Sequence, residues 1–377
     1  MSLRGWSRKY SVVRLKGPLR GIKGLEKLYN SYYRLNPPLG LPPDMERREF
    51  AFHPFSLDSY VRHLSFSSEE GLRSYMIENT PRHAYYSIAL YELPEAKDMD
   101  SKVWLGSELL FDIDIDPHTC GASIIVDDEC ITKAYEKARL IVEILKRDFG
   151  ADATVYFTGN RGFHVKASCS YCLKLGREER REIASYIRGE GLRIDAIIPR
   201  GLRVGKRRLD PASPTPDDPG WRGWITVLLK LEPEKSIVEM LGRNWLERIE
   251  EELAKHRPDI DMQVTQDPSR LARITGTLNG KSSLLVVDAT YGLDLDPRRL
   301  SPFRGEVKVR PLADIDDTTL LGFEFKLKKG VVEELPAWLA IHLATRELVE
   351  LIEGEVVVRA DTSWRGLQGS GRASRIS

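Results

Sequence analysis

Apolar residues fall into short runs broken by Gly, Pro, Asp and Asn rather than into long stripes, so the chain reads as strands mixed with moderate helices. Apolar and charged positions mix in strand-like alternation over residues 45–52 and 60–66, which predicts two neighbouring strands. Between and around them, residues 25–33 suit a short helix ending before Pro37-Pro38, and Ser67 or Ser68 ahead of Glu69-Glu70 marks a helix start running to about Ile77. Residues 85–93 return to strand character. Ala134, Ala138, Ile141 and Leu145 recur at helical spacing, and Phe149-Gly150 supplies the stop. Two β-prone runs, 153–159 and 163–167, flank a turn at Asn160-Arg161-Gly162. Residues 177–188 read as an exposed charged helix, 199–224 as an insertion loop, 232–255 as helical and 262–265 as a strand. Further strands are expected at 306–310, 322–327 and 355–359, with a helix near 338–344. The basic start, to about Gly24, reads as loosely held, and residues 361–377 have little to bury and read as a disordered tail.

One run stands apart from this pattern. Gly106-Ser107-Glu108-Leu109-Leu110-Phe111-Asp112-Ile113-Asp114-Ile115-Asp116 carries apolar and small positions into three acids spaced two apart. On a strand that spacing puts Asp112, Asp114 and Asp116 on one face and Ile113 and Ile115 on the other. Clustered carboxylates repel unless a cation sits among them, and oxygen ligands with open positions suit Mg²⁺ or Mn²⁺. A solvated strand end turning at Asp116-Pro117 explains an isolated D-x-D equally well.

Composition narrows the class. The 377 residues suffice for a full core, and 41% hydrophobic with 30% charged residues describes a soluble globular chain. Lys plus Arg number 57 against 56 Asp plus Glu, a net charge of +1, which excludes a generally basic coat and leaves room for local basic patches. Four cysteines are too few for a disulfide scaffold and fit a reducing compartment. No apolar run reaches membrane-spanning length and the first ten residues lack a signal-peptide core, so we expect a cytoplasmic protein with no membrane partner.

Two more clusters carry chemistry. In Thr158-Gly159-Asn160-Arg161-Gly162-Phe163-His164 the glycines let backbone amides approach an anion, Arg161 offers a planar fork, and His164 opens the next strand. An ordinary hairpin with an exposed Arg is the plain alternative. In the second cluster Asp267 is followed by Arg270, Arg273, Asn279, Gly280 and Lys281: one carboxylate and then three bases, as a metal-bound triphosphate requires. A solvated charged loop would look similar.

Together these motifs resemble the small, catalytic subunit of archaeo-eukaryotic DNA primases, in particular the archaeal form. The similarity covers roughly residues 29–359. It rests on R-E-F-A-F (48–52), Y-V-R-H-L-S-F (60–66), G-S-E-L-L-F-D-I-D-I-D (106–116), V-Y-F-T-G-N-R-G-F-H-V (155–165), V-T-Q-D-P-S-R-L-A-R-I (264–274), L-N-G-K-S-S-L (278–284) and L-S-P-F (300–303), in that order.

The resemblance implies a mixed α/β (α+β) fold: a catalytic core of antiparallel-rich sheets flanked by helices, spanning residues 1–360, with a small helical insertion at about 225–258. It implies a template-directed nucleotidyltransferase that makes short primers on single-stranded DNA from nucleoside triphosphates, with a large primase subunit as partner. Asp112, Asp114 and Asp267 match the metal-binding triad for Mg²⁺ or Mn²⁺, with Asp116 outside it. Thr158, Gly159, Arg161 and His164 match the nucleotide motif, with Thr in place of the usual Ser. Arg273 and Lys281 match basic positions near the triphosphate, and Glu49, Tyr60 and Arg62 match N-terminal nucleotide-binding positions. Two departures stand out. Asn279 replaces a common His, and a His at this position is expected to strengthen nucleotide binding. The segment 117–128 is too short for the family's zinc knuckle; it offers His118 and Cys120, with Cys130 just beyond and no C-x-x-C pair, and zinc is not expected. A repair or translesion polymerase of the same superfamily, a D-x-D glycosyltransferase and a non-catalytic single-strand-binding subunit are the rival readings.

Overall fold

The computed structural model describes residues 10–114, 128–198, 203–204, 207–208 and 213–360. Asp116, His118 and Cys120, most of the basic stretch 199–212 and the segment 361–377 lie outside the described residues.

The acidic run forms the strand Leu109–Asp114, at one edge of a four-stranded antiparallel sheet whose other members are Gly162–Ala167, Ala153–Phe157 and Val287–Asp288. Its inward residues Phe111 and Ile113 are buried, as are Phe163 and Val165 opposite and Val155 and Phe157 beyond. Each such side chain contributes about 1.5–3 kcal/mol of hydrophobic stabilisation, and together they fix the register. The register sets Asp112 opposite His164 and Asp114 opposite Gly162. A side chain at Gly162 would meet the Ile113 carbonyl at 2.5 Å, so only glycine lets the turn pass so close to the acidic strand. The helix Asp128–Phe149 covers this sheet with Ala134, Ala138, Ile141 and Leu145, as its spacing predicts, and ends at Gly150 with φ 62°.

A second antiparallel sheet runs Leu271–Arg273, Pro81–Ser87, Phe50–Pro54, Val61–Leu64. Phe50–Pro54 and Val61–Leu64 are neighbours, as the alternation implies, and Ser68 caps the helix Glu69–Asn79 by accepting from the Gly71 amide at 3.2 Å. The third sheet joins the ends of the chain: Tyr10–Leu19 pairs with Val349–Arg359, which also pairs with Glu306–Pro311. Among the described residues, eleven α-helices and predominantly antiparallel sheets make the fold mixed α/β.

Four expectations need correction. Residues 10–19 are a ten-residue strand, not a loose start; their partner lies more than 300 positions away, beyond the reach of local pattern. The expected strand at 262–265 is the short helix Met262–Gln266, because the Asp261 carboxylate caps it, accepting from the Gln263 amide at 2.8 Å and the Val264 amide at 3.3 Å. The expected loop ends early: Trp221–Leu229 is a helix that buries Trp221 and Trp224, and the helices Ile237–Leu241 and Trp245–His256 follow. The helix Arg177–Arg188 is exposed on one side only, since Ile183, Ala184, Ile187 and even Arg180 are buried.

The cysteines are corrected too. Cys169 and Cys172 are joined in a disulfide with Cα atoms 5.0 Å apart, and Cys130 is also disulfide-bonded. A two-residue spacing in a tight turn holds two thiols within bonding range whatever the number of cysteines elsewhere, so the count is no guide to their oxidation state.

Candidate active site

Three segments meet above the acidic strand. Asp112, His164, Asp267, Ser269, Arg270, Arg273, Tyr85 and Arg62 line one cleft of about 340 Å³. His164 Nε2 lies 3.5 Å from Asp112 Oδ1, a consequence of the strand register. Burial, reinforced by the neighbouring Asp261 carboxylate, raises Asp112 to about 6. Asp114 is raised as well, first by burial and then by Asp112. Burial and the Arg273 guanidinium push His164 down to about 3, so at neutral pH it is an uncharged hydrogen-bonding group.

Asp261 did not emerge from the sequence reading, yet its charge acts on both Asp112 and Asp114. Its amide donates to the Asp112 carbonyl at 3.1 Å, which ties the short helix to the acidic strand. The available signal was an Asp immediately before a run that could be helical, the pattern of an N-cap. Asp267, expected to complete the acid cluster, is engaged locally. Its Oδ1 accepts from the Ser269 amide at 2.9 Å and the Ser269 hydroxyl at 2.6 Å, and Oδ2 is 3.3 Å from Arg270 Nε.

The turn 158–162 faces inward more than its motif suggests. Thr158 is buried and its hydroxyl donates to the Gly162 carbonyl at 2.9 Å, closing the turn. Gly159 has φ 79° and lies so close to Asn279 that an added Cβ would stand 3.1 Å from the Asn279 Cβ. Asn279 is buried; its amide nitrogen donates to the Thr158 carbonyl at 2.7 Å and its oxygen accepts from the Lys281 amide at 2.9 Å. Both ends of that amide are therefore spent on joining two turns. Lys281 is exposed, and its charge reaches Asp114.

On the other wall Arg273 sits over the Tyr85 ring at 4.8 Å, with Nη1 3.0 Å from His83 Nδ1. Burial and the positive charge of Arg273 hold His83 far below the ordinary imidazole range. Tyr60 is half exposed and packs on His53, ring centroids 4.5 Å apart. Glu49 has no exposure, so it cannot meet a ligand directly. It accepts from Arg62 Nε at 2.9 Å and from the His63 amide at 3.1 Å, and lies 3.3 Å from Lys102 Nζ. Burial opposes its ionisation, and these cations overcome that, holding its carboxyl below the usual range. Its part is to aim Arg62 into the cleft.

Residues 111–290 match the family model described as DNA primase small subunit. The DNA primase small subunit PriS of Aeropyrum pernix is 49% identical over 352 residues, 92% of this chain and 99% of that one. The chain belongs to the DNA primase small-subunit family. The PriS proteins of Saccharolobus solfataricus, 37% identical over 88% of this chain and 96% of that one, and Sulfolobus acidocaldarius, 35% over 86% and 94%, stand with it. A solved polymerase domain of Mycobacterium tuberculosis ligase D in complex with DNA matches at TM-score 0.29 and 12% identity over 74% of this chain and 72% of that one, too distant to bear on the site. The segment matched by the primase family model contains Phe111 to Asp114 of the acidic strand, the turn 158–162 and both Asp261 and Asp267. Activity in this family is nucleotidyl transfer. No helix among the described residues is long and apolar enough to cross a membrane.

Proposed function

We propose that this cleft joins nucleotides on a single-stranded DNA template, making primers from nucleoside triphosphates, and that Asp112, Asp114 and Asp261 are the carboxylates that hold its divalent ions. The observation that carries this reading is geometric: Asp112 and Asp114 share the acidic strand, and the Asp261 amide, 3.1 Å from the Asp112 carbonyl, ties a third acid to it, so that burial and like charge both raise the Asp112 carboxyl. Carboxylates crowded by burial and like charge are the donor set that Mg²⁺ or Mn²⁺ relieves. Among the described residues no group of three or more His, Cys, Asp or Glu side chains is placed to hold a metal ion by itself, so the ions would need further ligands from water and substrate phosphates. When bound, such ions lower the pKa of the attacking 3′-hydroxyl and neutralise the leaving pyrophosphate.

The protein side of the reaction follows from the geometry. Arg273, steered by His83 and Tyr85, and Lys281 face the phosphates as fixed cations, and Arg161 adds a planar fork from the turn 158–162. Neutral His164 donates its ring N–H to a phosphate oxygen beside Asp112. Thr158 and Gly159 shape the turn, and Arg62, aimed by Glu49, closes the cleft with Tyr60. Asp267 holds Ser269 and Arg270 in place at the cleft floor. The partner is a large primase subunit, and the compartment is the cytoplasm. No residue here needs to act as a general base.

Primer synthesis on unprimed single-stranded DNA, with ribo- and deoxynucleotides supplied separately, tests the activity. De novo products are expected; extension only of a supplied primer would favour a repair or translesion polymerase, and binding without synthesis a non-catalytic subunit. Asp261→Asn keeps the helix cap, because an Asn oxygen accepts the same two amides, yet removes the charge. It should reduce nucleotide addition by at least about a hundredfold, as should Asp112→Asn, while Asp267→Asn is expected to cost less than about tenfold. The opposite order would return the third metal ligand to Asp267.

A further inference from the structure

Helix Ala337–Thr345 lies outside the family match at 111–290, yet a chain of hydrogen bonds leads from its end to the turn 158–162 and to the turn that carries Lys281. Arg346, just past the helix, donates through Nη2 to Asn160 Oδ1 at 2.8 Å, within the turn 158–162. Through Nε it donates to His342 Nε2 at 3.0 Å. An Arg nitrogen is only a donor, so His342 Nε2 must be the acceptor and Nδ1 carries the hydrogen. That Nδ1 is 2.9 Å from the Ser282 carbonyl, in the turn that carries Lys281, and therefore donates to it. The Ser282 hydroxyl in turn donates to the Gly159 carbonyl. His342 is buried, so the path is shielded from water along its middle.

We propose that Arg346 is a positioning residue for the incoming nucleotide: it reinforces from behind the direct bonds that Asn279 and Ser282 make between the two turns, and so holds Arg161 and Lys281 in a fixed relative placement for the phosphates. This rests on the reading of those turns as the nucleotide site. Two directed bonds from one rigid guanidinium, one toward each turn, set a distance that a flexible side chain would not. Arg346 also stands beside Arg161, whose charge adds to burial in depressing it to about 10. Two guanidiniums held together in this way raise the local positive potential that a polyphosphate meets.

The test is steady-state kinetics at saturating template for Arg346→Met, Arg346→Lys, Asn160→Ala and the double variant Arg346→Met/Asn160→Ala, with Arg161→Ala as reference. Arg346→Met should raise the nucleotide KM about tenfold with kcat within about twofold and template affinity unchanged, as the loss of one or two directed hydrogen bonds implies. Arg346→Lys should not restore KM, because one ammonium cannot serve both partners. Asn160→Ala, which leaves the helix intact, should raise KM in the same direction, and the double variant should be no worse than Arg346→Met, since both cut one path. Additive effects, or a fall in kcat and template affinity in step with melting temperature, would overturn the inference. A wild-type KM in Arg346→Met beside a raised KM in Arg161→Ala would overturn it alone; a wild-type KM in both would overturn the nucleotide reading of the turn as well.

Discussion

Asp112 shows how a carboxylate proposed to hold a metal ion works against the fold that carries it. Its folded pKa, about 6, lies above its unfolded value near 4. The carboxyl therefore favours folding while it is protonated, and this contribution is lost as pH rises through about 6. In metal-free protein Asp112→Asn should be no more stable than the native chain below pH about 4 and more stable by on the order of 1–3 kcal/mol above pH about 6, with nucleotide addition abolished. Urea denaturation across pH in EDTA checks this, and added Mn²⁺ should shrink the difference by stabilising only the native chain. A gap of the same size at pH 4 and pH 8 would assign it to packing instead.

Asn279 reverses an expectation at the same scale. Read along the chain, it is a His that lost its charge, and restoring His should help the triphosphate. In the fold its amide bridges the Thr158 carbonyl and the Lys281 amide, so a His would break at least one of those bonds in a buried place. Asn279→His is expected to lower stability by about 1–3 kcal/mol and to raise, not lower, the nucleotide KM. Thermal unfolding and nucleotide titration read both effects, and tighter nucleotide binding that strengthens toward acid pH would restore the first expectation.

Among the elements, the helix Arg177–Arg188 explains how the acidic strand is anchored. Arg180 is fully buried and donates to the carbonyls of Glu108 at 2.8 Å, Ser107 at 2.7 Å and Leu175 at 2.9 Å. The carbonyls of Ser107 and Glu108 flank the point where the strand Trp104–Ser107 gives way to Leu109–Asp114. Burial holds the Arg180 guanidinium down to about 10, still charged at neutral pH. Arg180→Met fills similar volume yet orphans the carbonyls, and should destabilise the protein by about 3 kcal/mol. Amide hydrogen exchange should show the loss first at residues 107–112; a variant as stable as the native chain would mean that water reaches these carbonyls and replaces the clamp.

For the molecule as a whole, the third sheet closes the chain on itself. Val349–Arg359 is an interior strand because Tyr10–Leu19 occupies one side, in register from Tyr10 opposite Arg359 to Lys16 opposite Glu353. Deleting residues 1–19 would turn it into an open edge. The truncated protein should melt several degrees lower and self-associate on size-exclusion chromatography, with the acidic strand and its chemistry otherwise intact. A monomer of unchanged melting temperature would mean that the strand adds nothing to the closure.

Period and composition were enough for much of this protein. The two-residue spacing of Asp112 and Asp114 put both acids on the strand, the spacing of Ala134, Ala138, Ile141 and Leu145 defined the long helix, and Asn160-Arg161-Gly162 marked the turn. These features arise from side-chain periodicity and turn stereochemistry, which act between neighbours in the chain. Asp261 beside Asp112, Glu49 behind Arg62, Arg346 behind the turn and the pairing of Tyr10–Leu19 with Val349–Arg359 are different in kind. Each joins residues remote in the chain, through bonds or fields that act over a few ångströms of space. Only the packing of the sheets brings those residues within range, and no local pattern in the chain records the distance.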